Sequence, residues 1–124
     1  MSNLRLTPEL LALAYELLRA TAPFKGWKLP PAAAVEFTIN RSMDTRGFYI
    51  YHAHRKTKSV HEIGVSSNCI GNLKSLVEVM AHEMIHLEER ISCTLTPGAM
   101  HNAAFMRKAK RVCKHHSMDF KLFV

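Results

Sequence analysis

A chain of 124 residues with a formal net charge of +7 has room for one hydrophobic core and none for two, so a single domain over residues 1–124 is expected. No apolar run approaches the roughly 20 residues of a membrane span, which excludes a membrane-embedded protein. Three cysteines, Cys69, Cys93 and Cys113, are odd in number and widely spaced, with no C-x-x-C pair; this argues against a disulfide framework or zinc ribbon and for a reduced, cytoplasmic setting.

The first residues, Met1-Ser2-Asn3-Leu4-Arg5, lead into a helix carrying Glu9 and Glu16, which is no signal-peptide core, so a secreted protein is not expected. Thr7 can cap that helix with Pro8 at its first position and Glu9 in its first turn. Leu6 and Leu11 are spaced for a hydrophobic staple, and Leu10, Leu13, Ala14 and Leu17 give the expected buried face. Pro23 ends the helix, and Gly26, Pro30 and Pro31 keep the next stretch irregular. Val35, Phe37 and Ile39 then alternate with Glu36, Thr38 and Asn40, a period-two strand. A turn rich in Asp44, Thr45 and Gly47 precedes a second strand over Phe48–His52, and Val60–Ser66 reads as a third. Asn68, Gly71 and Asn72 open the next helix. Its apolar residues Leu73, Leu76, Val77, Met80, Met84, Leu87 and Ile91 recur at i, i+3, i+4, i+7 spacing and mark a core face.

Within this helix stands His82-Glu83-Met84-Ile85-His86, an H-E-x-x-H motif. Residues four apart on a helix lie one above the other, so the two imidazoles can bind one zinc ion. Glu83 is placed to take a proton from a water activated by that metal, which is the metal-binding half of a zinc peptidase. The pair falls roughly opposite the apolar stripe, yet Val79 and Ile85 flank it; a helix apolar on most faces is buried, with its histidines lining a cleft.

A catalytic zinc usually takes three protein ligands. The third comes from His101, His115, His116, Asp119, Glu78, His52 or His54. His101 has the best context. Thr96-Pro97 looks like a cap followed by proline at the first helical position, which puts His101 one turn into a helix, beside the apolar stripe Phe105, Ala109, Val112 and Cys113. His115 and His116 follow a basic run and read as solvated.

A short N-terminal helix, three strands, an H-E-x-x-H helix and a second helix beginning H-x-x-x-F resemble the SprT-like (Spartan-related) zinc metallopeptidase domain of the zincin fold, in its minimal form without the C-terminal zinc ribbon. The resemblance runs from about Pro8 to Lys114. His82, Glu83 and His86 match the family's first motif, His101 and Phe105 its second. The family commonly has Gly after the third His, where this chain has Asn102. The resemblance implies an α+β, zincin-like fold: a short antiparallel or mixed three-stranded sheet packed on an N-terminal helix, an active-site helix and a C-terminal helix carrying the third ligand. It implies one zinc per chain on His82, His86 and His101, and peptide-bond hydrolysis with Glu83 as general base. Tyr49, Tyr51 and His115 are conceivable oxyanion stabilisers. Glu78 and Glu89, at i−4 and i+3 from the pair, read as solvated charges rather than partners of the ligands.

The basic residues are organised. Arg107, Lys110, Arg111 and Lys114 follow helical spacing opposite the Phe105-Ala109-Val112 stripe, and Arg55, Lys56 and Lys58 form a second cluster. Such ridges suit a phosphate backbone, DNA included, without reading sequence, and equally suit a solubilising face. Trp27, Tyr49 and Tyr51 read as core rather than stacking residues. Three functions follow: a zinc endopeptidase acting on proteins, nucleic-acid-bound proteins among them; a zincin-fold nucleic-acid-binding or adaptor domain with weak catalysis; or a purely structural zinc. The intact Glu83 favours the first.

Overall fold

The computed structural model describes residues 4–56, 59–92 and 101–124. Helix α1 spans Pro8–Arg19, and Thr7 caps it by accepting the Leu10 N–H at 3.1 Å. Its buried face is Leu11, Ala14, Tyr15 and Leu18 rather than the expected Leu10, Leu13, Ala14 and Leu17; Leu13 and Leu17 are 55% and 61% exposed. Two overlapping apolar stripes run along this helix, and side-chain size decides between them. Tyr15 is wholly buried, its ring lies edge-on to Phe37, and its hydroxyl donates to the Pro30 carbonyl at 2.6 Å, so the larger aromatic takes the core side and finds a partner for its polar tip.

Two single 3₁₀ turns, Phe24–Gly26 and Ala32–Ala34, lead to strand β1, Val35–Asn40. Strand β2 is Gly47–Tyr51 and β3 is His61–Ser66. The sheet order is β1-β3-β2, with β1 parallel and β2 antiparallel to the central β3. The sheet is therefore mixed. Val35, Phe37, Ile63 and Val65 point to the helices and are buried. Glu36 and Glu62 stand side by side in register, on the opposite face by the strand's two-residue alternation.

Helix α2, Leu73–Ser92, crosses β2 and β3 and also packs on α1. Asn72 opens it, its side-chain oxygen accepting the Ser75 N–H at 2.8 Å. Leu76, Met80, Met84 and Leu87 are buried as the stripe predicts, and so are Val79 and Ile85, while Leu73 and Ile91 at the helix ends are exposed. Helix α3, Ala103–His116, buries Phe105, Ala109, Val112 and Cys113. A short helix α4, Phe120–Phe123, was not foreseen; Asp119 caps it and Phe123 is buried. The result is an α+β fold with a small three-stranded mixed sheet and four helices among the described residues. No described helix is long and apolar enough to cross a membrane. Cys69 and Cys113 are free thiols; Cys93 lies outside the described residues.

Candidate metal centre

Helical spacing brings His82 and His86 together on α2, their ring centroids 5.0 Å apart. Their Nε2 atoms face each other at 3.3 Å. Two zinc–nitrogen bonds of about 2.0–2.1 Å at a tetrahedral angle put their nitrogens roughly 3.3–3.4 Å apart. His101 joins from the far side of the cleft, with ring centroids 5.1 Å from His82 and 5.3 Å from His86. Potential ligand atoms of all three lie within 4.8 Å of one another. The donor set and its spacing fit a zinc ion.

His101 arrives by a different route from the expected one. Thr96 and Pro97 lie outside the described residues. Helix α3 begins at Ala103, and Asn102 is its N-cap, accepting the Phe105 N–H at 2.8 Å. His101 therefore precedes the cap instead of sitting one turn into the helix. Asn102 at the position after His101 thus has a local task that glycine lacks: its side chain ties off the helix start. Phe105 forms the floor of the cluster. It is wholly buried, with its ring stacked on His101 at 4.4 Å and 9°, and on His86 at 4.6 Å.

Burial lowers the imidazoles' basicity. It pulls His82 down to about 4 and His86 to about 3, with neighbouring imidazoles adding to the effect, and His101 is lowered by burial too. At neutral pH all three are uncharged, the form that binds metal. The Nδ1 of His82 donates to the Phe123 carbonyl at 2.8 Å. The Nδ1 of His86 is buried and has no hydrogen-bond partner among the described residues.

Glu83, 5% exposed, points into the same cleft. Burial pushes its carboxyl up to about 8, opposed by the positive charge of Arg46. The cleft, about 240 Å³, is lined by Asp44, Thr45, Arg46, Gly47, Val79, His82, Glu83, His101 and Val124. The turn before β2 is thus one wall. Gly47 permits the close approach: a Cβ there would meet Val79 Cγ2 at 2.6 Å and Gly64 O at 3.0 Å.

The other third-ligand candidates go elsewhere. His52 meets Glu62 at 2.7 Å, His54 and His115 are exposed, and His116 reaches Thr21 at 3.1 Å. Asp119 caps α4, and Glu78 pairs with Lys74. Tyr49 and Tyr51 do not line the cleft: Tyr49 bonds His61, and Arg90 sits over the Tyr51 ring. Glu89, read as solvated, is fully buried and pairs with Lys108 at 3.7 Å, and Glu78 is mostly covered. Arg107, Lys110, Arg111 and Lys114 are all exposed on α3. The second basic cluster is not a free patch: Arg55 pairs with Glu36, Lys56 is exposed, and Lys58 lies outside the described residues. Arg46 and Phe123 were missed, because a rim arginine and a backbone carbonyl carry no motif.

No protein-family model matches the sequence, and no curated protein matches it either.

Proposed function

We propose that the chain is a zinc metalloendopeptidase of the H-E-x-x-H type, built on the SprT-like zincin plan and acting on protein or peptide substrates. The observation that carries this reading is the convergence of three neutral imidazoles, His82, His86 and His101, at a cleft that also holds the Glu83 carboxyl. One zinc ion per chain, when bound there, supplies Lewis acidity toward water and a peptide carbonyl. Glu83 takes the proton of the attacking water and returns it to the leaving amine. Buried in the cleft that the His82 and His101 rings also line, the Glu83 carboxyl is placed for both directions of that transfer. Arg46 on the rim favours the ionised form that starts the cycle, and Phe105 keeps the ligand rings from turning.

A structural zinc in an adaptor domain is the alternative. Structural sites usually close all four positions with protein ligands, whereas the described cluster offers three and opens on a cleft. Metal analysis and casein cleavage by the wild type and by Glu83→Gln separate the two readings. Glu83→Gln is expected to keep one zinc and lose about 10²–10⁴ in rate; equal rates would remove Glu83 from catalysis.

The exposed row Arg107, Lys110, Arg111 and Lys114 runs from the helix that follows His101. It suits a polyanion such as DNA, whose bound proteins it would bring to the cleft. Reversing Arg107 and Arg111 to Glu should lower DNA affinity and its salt dependence while sparing cleavage of a free peptide. Absence of wild-type binding at low salt would make the row a solubility feature.

A further inference from the structure

The hydrogen bond from His82 to the Phe123 carbonyl spans 41 residues of sequence and decides which nitrogen of His82 is available. A carbonyl can only accept, so Nδ1 carries the proton of the neutral ring and Nε2 keeps its lone pair. That Nε2 is the atom facing His86 Nε2 at 3.3 Å. The carbonyl is itself held. The Phe123 side chain is 2% exposed, and its ring lies 5.5 Å from that of His82. Asp119 caps the turn through the Lys121 N–H, and Phe123 N–H closes it onto the Asp119 carbonyl at 2.9 Å. One residue back, the Leu122 side chain is 65% exposed, and its carbonyl accepts from Arg46 Nη2 at 3.2 Å. Arg46 thus joins the cleft's wall to the segment behind the ligand. His86 has no equivalent among the described residues, where its buried Nδ1 meets no partner.

We propose that α4 is a positioning element of the metal centre, with the Phe123 carbonyl setting the tautomer and orientation of His82, and Arg46 as the positioning residue that fixes the segment in place. This rests on the zinc reading of the His82–His86–His101 cluster. Partners behind a ligand imidazole typically tune metal affinity by about 10–100-fold.

The test uses the full chain in two states. In metal-free protein, ¹⁵N-resolved imidazole spectra should show His82 as the Nδ1–H tautomer, and Phe123→Ala and Arg46→Ala should shift it toward a mixture. Zinc affinity by chelator competition should fall about 10-fold or more for Phe123→Ala and less for Arg46→Ala, with Arg46→Lys partly restoring it. The visible spectrum of the cobalt-loaded protein should change in the same order. Arg46 is exposed, so its variants keep the metal-free melting temperature and remain informative if Phe123→Ala unfolds. An Nε2–H tautomer in the wild type would overturn the proposal. So would a tautomer and a cobalt spectrum indifferent to Arg46→Ala in a chain that binds zinc. Failure of the wild type to bind zinc at all would instead sink the reading on which the proposal rests.

Discussion

His82, His86 and His101 meet inside the cleft, while Glu36, His52 and Glu62 meet on the sheet face turned away from the helices. Both groups bring three potential metal ligands within 4.8 Å of one another, yet their chemistry differs. The first is a set of uncharged rings, and among the described residues the facing Nε2 atoms of His82 and His86 meet only each other. The second begins as a conflict, since Glu36 and Glu62 are in-register neighbours on parallel strands and like charges so placed repel. That conflict is already resolved within the chain. Arg55 pairs with Glu36; His52 and the Thr38 hydroxyl bond the two oxygens of Glu62 at 2.7 and 2.8 Å. Ligand count therefore does not distinguish a metal site from a salt-bridge cluster. What distinguishes them is whether the lone pairs are already used.

The largest expected effect tests that distinction directly. His86→Ala should lose stoichiometric zinc, whereas His52→Ala should retain one zinc per chain, both read by metal analysis after dialysis. Two zinc ions in the wild type, one of them lost with His52→Ala, would break the comparison. Next in size is the floor of the cleft. Phe105 is wholly buried and stacks on His101 and His86. Phe105→Ala should cost about 3–5 kcal/mol of stability and weaken zinc binding as well, because the rings lose the surface that orients them. Urea unfolding of the metal-free variant isolates the first effect and chelator competition the second. A variant with wild-type zinc affinity would mean that the imidazoles hold their positions without the floor.

A smaller effect sharpens the role of internal partners. Arg55 is 31% exposed at its side chain and Glu36 41%, so their pair is screened and worth about 0.2–1 kcal/mol. Arg55→Ala should lower the melting temperature by a few degrees at most. It should also release Glu36, and a second, weak zinc should then appear in titrations that show one for the wild type. If no second ion binds, the outer cluster lacks ligand geometry as well as free lone pairs.

The two regions also differed in how far the sequence revealed them. The His82–His86 pair and the Thr7 cap depend on residues within one turn of each other, and each was readable from spacing; Asn72 was read only with Asn68 and Gly71 as opening its helix, and the structure makes it the residue that accepts the Ser75 N–H. His101 was singled out by the helix start expected at Thr96-Pro97, which lies outside the described residues, and by the H-x-x-x-F match with Phe105; the cap that follows it in the structure is Asn102. Strand positions came within a residue, but the Glu36–Glu62 pairing depends on register between strands separated by a whole hairpin. Glu89 looked like any charge on a helix because its partner Lys108 lies on another helix. The buried face of α1 was misread because Leu10, Leu13 and Leu17 form as good a stripe as Leu11, Tyr15 and Leu18, and only packing against Phe37 and Pro30 separates them. Arg46 and Phe123 act through backbone carbonyls, for which no residue pattern exists.

The smallest expected effect concerns a carboxylate whose partners are likewise internal and whose task is the fold alone. Glu16 accepts the Ala32 N–H at 2.6 Å and pairs with Arg19 at 3.0 Å, tying α1 to the turn before β1. Partial burial would raise its carboxyl, but the Ala32 N–H and the Arg19 guanidinium outweigh it and hold Glu16 below its ordinary value of 4.5. A carboxyl lowered by folding stabilises the native state above the unfolded value, and that contribution fades as pH falls through the folded one. Glu16→Gln should therefore cost on the order of 0.5–1 kcal/mol at pH 7, toward the low end for a half-exposed group. The gap from wild type should shrink as the pH falls below about 4.5. Urea midpoints for both chains at pH 7 and pH 3.5 measure it, and zinc stoichiometry should not change at pH 7. A gap that widens on acidification would mean that the Ala32 and Arg19 contacts do not hold Glu16 in its ionised form.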